Sequence, residues 1–289
     1  MLLLVKNNFN KMEKVKMIKA VFIDIDGTLT NSHGIITNRT KDAIKNCINI
    51  GIKIILTSGR SRLNTVNLSK EIGSSSVVIS SNGADVYDNE NKIEIYTNSI
   101  PKEDLIKIFN YAIKNDNKIV LNYGFELVMN KCFYEDEKDK VRSIEELKKI
   151  IETENIVQCV ILDKELEKLK DFKEFFNKNM NNLKIENESK RLKDSNLKPS
   201  NNYYCDINSI KVSKGKAVEE VCKYLNLKMD EIAAIGDGEN DVSMFKVAKY
   251  SFAMKNALEH VKKAAKYTAD SDDEEGAAKI LEMIQKKNY

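Results

Sequence analysis

Apolar residues in this chain fall into short, dense runs separated by segments of helical periodicity. Residues 18–23, interrupted only by Lys19 and rich in β-branched side chains, do not alternate with polar ones. Such a run reads as a strand buried on both faces, as in the middle of a parallel sheet. Residues 52–57, 77–80 and 232–235 repeat the pattern. Between the first two runs, Thr37 and Asn38 are candidate caps for a helix over 39–49, with Ala43, Ile44, Cys47 and Ile48 on one face and Gly51 after its end. A second helix is predicted over 62–72. Strand, helix, strand, helix, strand with short connections is the signature of a right-handed, parallel, doubly wound sheet.

The alternation then changes. Residues 85–87 and 93–96 flank a polar tetrapeptide and read as a β-hairpin. Pro101 opens an amphipathic helix to about residue 115, and strands are predicted over 118–123 and 125–129. Ser143 and Glu146 form a capping box for a helix over 144–153. A strand over 156–162, a charged helix to about Met180 and a strand over 183–186 follow. This is an antiparallel α+β module spliced into the first unit. The asparagine- and lysine-rich stretch 187–202 reads as a loose connection, and the first pattern resumes from Tyr203. Residues 207–212 lead to a helix ending near Leu225. The strand at 232–235, a helix through Met244 and Phe245, a strand over 250–253 and a last helix reaching Lys286 complete the chain. The predicted fold class is α/β, a Rossmann-like doubly wound parallel sheet (17–86 and 207–289) with an inserted α+β domain (87–206) and an N-terminal extension (1–16).

Composition narrows the function. Over 289 residues, 47 basic and 44 acidic side chains give a net charge of +3, a mixed surface that argues against a nucleic-acid protein. Five scattered cysteines without a C-x-x-C pair, and only two histidines, argue against a zinc site and suit reduced thiols. The apolar stretch 2–5 is far too short for a membrane span or signal core. A soluble, cytoplasmic protein without membrane partners is expected, as a monomer or a homodimer.

The ends of the predicted strands carry the candidate chemistry. The first run stops at Asp24-Ile25-Asp26-Gly27-Thr28. In an extended chain, side chains at i and i+2 point the same way, so both carboxylates are expected to enter one space at the strand's C-terminal end, where open α/β sheets bind ligands. Two like charges persist there with a cation or a shared proton. An ordinary acidic turn is the plainer alternative. The second strand ends in Ser58-Gly59-Arg60, the third in Asn82-Gly83, and the fourth in Gly236-Asp237-Gly238-Glu239-Asn240-Asp241; Lys214 sits in a Ser-Lys-Gly context. Ser58 could serve merely as a helix cap, Lys214 as one more surface lysine and Arg60 as a solvent-facing first-turn residue. His33 and His260 read as exposed bystanders.

The Asp24–Thr28 pentad resembles the D-x-D-G-T motif of the haloacid dehalogenase-like phosphatases. With Ser58-Gly59-Arg60, Ser213-Lys214-Gly215, the 236–241 stretch and the segments 254–257, 269–270 and 274–276 in order, the chain is similar to their Cof-type members, subclass IIB. The family usually has threonine at the Ser58 position; serine keeps the hydroxyl. The resemblance implies a Mg²⁺-dependent phosphatase of small phosphorylated metabolites, with the insert as a substrate-choosing cap. Asp24 would be the nucleophile and Asp26 the general acid. Ser58, the Gly59 N–H, Lys214 and Asn240 would bind the transferring phosphoryl group. Asp24, Asp237, Asp241 and the Asp26 carbonyl would hold the metal, and Arg60, Asn82 and Gly83 would lie on the substrate side. Asp26 argues against a dehalogenase proper, whose halide leaves without a proton, and the lack of spans argues against an ion pump. A phosphomutase of the same superfamily and a silent metabolite sensor remain as alternatives.

Overall fold

The computed structural model describes residues 17–190 and 202–286. The expected extension over 1–16 lies outside the described residues, as do residues 191–201 of the expected connection. The first part of the chain forms β1 (Ala20–Ile23), α1 (Asn38–Asn49), β2 (Lys53–Leu56), α2 (Arg62–Ile72), β3 (Val77–Ser80) and the hairpin β4 (Asp85–Asp88) and β5 (Ile93–Thr97). The middle forms α3 (Lys102–Lys114), β6 (Lys118–Tyr123), β7 (Glu126–Met129), α4 (Ile144–Thr153), β8 (Gln158–Asp163), α5 (Leu166–Asn179), β9 (Leu183–Lys190) and β10 (Tyr203–Ser209). The last part forms α6 (Lys214–Tyr224), β11 (Ile232–Gly236), α7 (Val242–Val247), β12 (Tyr250–Ala253), α8 (Glu259–Ala264), β13 (Tyr267–Thr268) and α9 (Gly276–Gln285).

The first sheet has the order β13-β12-β11-β1-β2, all parallel, with β1 between β11 and β2. The non-alternating sequence of β1 is used on both faces. Val21 and Ile23 pack with Ala43, Ile44 and Cys47 of α1 and Leu281 and Ile284 of α9. Ala20 and Phe22 pack on the other side with Val218 and Val221 of α6 and Met244 and Phe245 of α7. Full burial of a side chain such as Phe22 is worth about 1.5–3 kcal/mol, so a run of this kind stabilises only a doubly covered strand. The α1 start is held as expected: Thr37 accepts from the Thr40 N–H.

The second sheet, β7-β6-β8-β10-β9, is antiparallel throughout. Its alternate residues Ile119, Leu121, Cys159, Ile161, Cys205 and Ile207 pack under α3, α4 and α5. The opposite face carries Asn122, Gln158 and Asn208 at the end nearest the first sheet. No helix among the described residues is long and apolar enough to cross a membrane.

Two boundaries differ from the sequence reading. The β4–β5 hairpin, whose second half falls in the insert expected from residue 87, pairs antiparallel with β3. β3 in turn bridges β2 through Thr57 and Ile79, so the hairpin extends the first sheet. At the other crossing, the first pattern was expected to resume from Tyr203, yet residues 203–209 form β10 between β8 and β9 of the second sheet. Local alternation identifies a strand but carries no information about which sheet completes its hydrogen bonds.

Candidate active site

The C-terminal ends of β1, β2, β3 and β11 meet at one edge. Asp24 ends β1 in extended backbone, and its N–H donates to the Ile235 carbonyl of β11. Asp24 is buried, with 7% of the residue exposed. Lys214, the first residue of α6 and fully buried, puts its Nζ 2.5 Å from Asp24 Oδ1 and 2.6 Å from Asp241 Oδ1. The other Asp241 oxygen accepts from the N–H groups of Asp237 and Gly238, both at 2.9 Å. Asp237 Oδ1 accepts from Thr28 Oγ1 at 2.7 Å. One carboxylate oxygen from each of Asp24, Asp237 and Asp241 lies within 4.8 Å of the others.

Two glycines admit these close approaches. Gly27 has φ +79, and a Cβ there would stand 2.5 Å from Asp237 Oδ2. A Cβ on Gly236 would stand 2.4 Å from Asp241 Cγ. The first loop is further tied by Asn256, which donates to the Gly27 carbonyl at 2.8 Å.

Three carboxylates against one ammonium leave the cluster short of positive charge, which is costly in a buried place. Burial pushes the Asp24 carboxyl well above the ordinary carboxylate range; Lys214 draws it back, and Asp241 and Asp237 push it up again. Burial, followed by Asp241, raises Asp237 to about 7 against the hydrogen bond from Thr28 and the attraction of Lys214. Burial works against the Lys214 charge, but Asp24 and Asp241 outweigh it and hold the ammonium above lysine's ordinary range. An all-oxygen set of carboxylates with a charge deficit fits a hard divalent cation.

Asp26 departs from the expected arrangement. Its side chain is 62% exposed and outside the cluster, gripped by Arg60 in a fork: Nη2 to Oδ1 at 2.5 Å and Nε to Oδ2 at 2.9 Å. The i, i+2 rule holds for extended chain, but residues 25–29 coil into one wide turn immediately after Asp24. The turn buries Ile25 and swings Asp26 to the rim. Arg60, expected on the substrate side, is therefore the partner of Asp26.

The remaining candidates line the same edge. Ser58 is buried, and its Oγ accepts from the Arg60 N–H at 3.1 Å, as a turn hydroxyl does. Gly59 lies against Asn82, since a Cβ there would meet Asn82 Oδ1 at 2.8 Å. Asn82 is fully buried with φ +61 and accepts from Asn240 Nδ2 at 2.9 Å. Gly83 packs against Ser213, directly before Lys214. His33 is exposed, and His260 is an exposed partner of Glu239. Sequence reasoning missed the residues of the second sheet that reach this edge. Gln158 Nε2 donates to the Gly59 carbonyl at 3.2 Å, and Asn208 bonds Asn82. Their one sequence signal is an amide on the strand face left uncovered by helices.

The chain as a whole is similar to known proteins. A family model described as a haloacid dehalogenase-like hydrolase matches residues 21–281. The chain is 30% identical over 267 residues to a phosphoglycolate phosphatase of Archaeoglobus fulgidus, covering 92% of this chain and 96% of that one. It is 28% identical over 265 residues to the 5-amino-6-(5-phospho-D-ribitylamino)uracil phosphatase YcsE of Bacillus subtilis, covering 91% and 94%. Among solved structures, a haloacid dehalogenase-like hydrolase from Bacteroides thetaiotaomicron superposes with a TM-score of 0.78 at 27% identity, covering 92% of this chain and 99% of that one.

Proposed function

Because the chain belongs to the haloacid dehalogenase-like hydrolases and is a phosphatase of their Cof type, we propose that it hydrolyses small phosphorylated metabolites, sugar phosphates or similar esters, with Mg²⁺ and through a phosphoryl group carried on Asp24. The observation that supports this most is the buried cluster of Asp24, Asp237 and Asp241 around Lys214. A divalent cation held by those three carboxylates and the Asp26 carbonyl would supply positive charge beside the non-bridging phosphate oxygens.

The protein's own groups do the rest. Lys214 presents a fixed cation, and the Ser58 hydroxyl, the Gly59 N–H and the Asn240 amide offer donors to the phosphoryl oxygens. One Asp24 oxygen attacks phosphorus as the ester P–O bond breaks, and Asp26 gives the leaving oxygen its proton. Asp26 turns from the Arg60 fork to do so, a rotation of one side chain at the rim. In the second step Asp26 takes a proton from water, the water oxygen attacks phosphorus, and Asp24 and inorganic phosphate are released. The second sheet acts as the cap, covering the edge and limiting substrates to small molecules. Such substrates are in keeping with the small phosphate esters named for the two relatives.

Purified protein should hydrolyse p-nitrophenyl phosphate with Mg²⁺ and lose that activity in EDTA. Equal rates with and without chelator would contradict the metal requirement, and no hydrolysis with Mg²⁺ would contradict the phosphatase reading.

A further inference from the structure

Three amide side chains run in line from the second sheet into the catalytic loops. Asn208, on β10, is fully buried, and its Nδ2 donates to two backbone carbonyls. One is Ser81 of the first unit at 3.2 Å, the other Val157 beside β8 at 2.9 Å. A carbonyl oxygen only accepts, so these two contacts settle which end of the Asn208 amide is nitrogen. Its Oδ1 must then accept, and it does so from Asn82 Nδ2 at 3.1 Å. That in turn orients Asn82, whose Oδ1 accepts from Asn240 Nδ2 at 2.9 Å. Every donor in the chain thus has one direction, set at Asn208 by two carbonyls and read out at Asn240, next to Asp241.

We infer that Asn208 is a positioning residue which, through Asn82, holds the Asn240 amide with its nitrogen committed toward Asn82 and its dipole fixed relative to the phosphoryl site. This rests on the phosphatase reading and on the place of Asn240 in it. The two ends of an amide are nearly the same shape but opposite in polarity, and only the N–H end attracts a phosphate oxygen. A half-buried Asn240 without a partner would sample both orientations and be productive for only part of the time. The cap's seat on the first unit therefore bears on a group that faces the substrate phosphate. Asn82 suits the middle position because a buried residue at φ +61 is tolerated best as Asn, Asp or Gly.

The test is a pair of double-mutant cycles on p-nitrophenyl phosphate turnover. Asn208→Ala removes the origin of the chain. Asn82→Gly removes its middle, is compatible with the left-handed backbone, and leaves Asn208 bonded to Ser81 and Val157. Each should lower kcat by about 3–10-fold, the size of one lost hydrogen bond, and neither should lower it further in an Asn240→Ala background. The inhibition constant for orthovanadate should weaken in parallel with kcat while KM moves less. Wild-type turnover reports on the phosphatase reading, whereas the coupling reports on the amide chain alone. Losses that multiply in the double variants, or single variants with unchanged kcat, would overturn the inference.

Discussion

At the scale of single residues, the site is defined by a charge imbalance. Lys214 touches Asp24 and Asp241, while Asp237 has the Thr28 hydroxyl and, among the described residues, no ion pair. Asp237 is raised from an ordinary 3.8 to about 7, chiefly by burial. A carboxyl with a raised folded-state pKa retains a proton that the unfolded chain has already released, so the stability that this group contributes to the metal-free protein is lost as pH rises from about 4 to about 7. A cation held by the deprotonated carboxylates would compete with that proton. The rise in Tm produced by saturating Mg²⁺ should therefore be small near pH 5 and grow through pH 7 to 8. Differential scanning fluorimetry across that range would show it; a rise that is flat with pH, or largest at pH 5, would contradict the cluster as the metal site. Asp24, Asp237 and Asp241 were legible as candidates because they follow the ends of apolar runs, and Lys214 was legible from its Ser-Lys-Gly context and the resemblance that context supports. The position of Asp26 was not, because the turn over 25–29 is closed by contacts that strand periodicity does not encode. The amides at 82, 208 and 240 were separated too far in sequence to be read as one chain.

At the scale of elements, runs of β-branched residues named the strands of the first sheet, and capping residues such as Thr37 and Ser143 named helix starts. Membership of a sheet was the illegible part: β4, β5 and β10 look locally like any half-buried strand, and long-range pairing decides where they belong. The second sheet has an interior of its own, in which Phe172 of α5 is fully buried against Tyr111 and Phe176. Phe172→Ala should cost about 3–5 kcal/mol of stability, because the cavity is lined by a sheet and two helices that cannot fully collapse. Urea denaturation followed by hydrogen exchange would test this. Protection should fall in β6 and β8 while β1 and β11 keep theirs, since their cores are separate. A loss below about 1 kcal/mol, or equal loss of protection in both sheets, would contradict that separation.

At the scale of the whole molecule, the second sheet leaves and re-enters the first beside the active edge and rests on it through Gln158, Asn208 and Phe125. Phe125 packs edge-on against Tyr87 at 5.2 Å, with the Arg62 guanidinium over both rings. In the proposed function, a module seated this way would choose which leaving group fits, while the phosphoryl chemistry would stay below it. Exchanging residues 98–210 for the corresponding cap of a relative with a different preferred ester should transfer that relative's ranking of substrates and leave aryl phosphate hydrolysis in place. A folded chimera that hydrolyses aryl phosphate yet keeps the original ranking would show that the cap does not choose.

The most direct measurement is the site of phosphorylation. Protein mixed with p-nitrophenyl phosphate and Mg²⁺, quenched in acid within a turnover and digested, should carry one phosphoryl group on the peptide containing Asp24, none when EDTA is present, and none in Asp24→Asn. Phosphate found on any other residue, or rapid turnover by Asp24→Asn, would contradict the assignment of Asp24 as nucleophile.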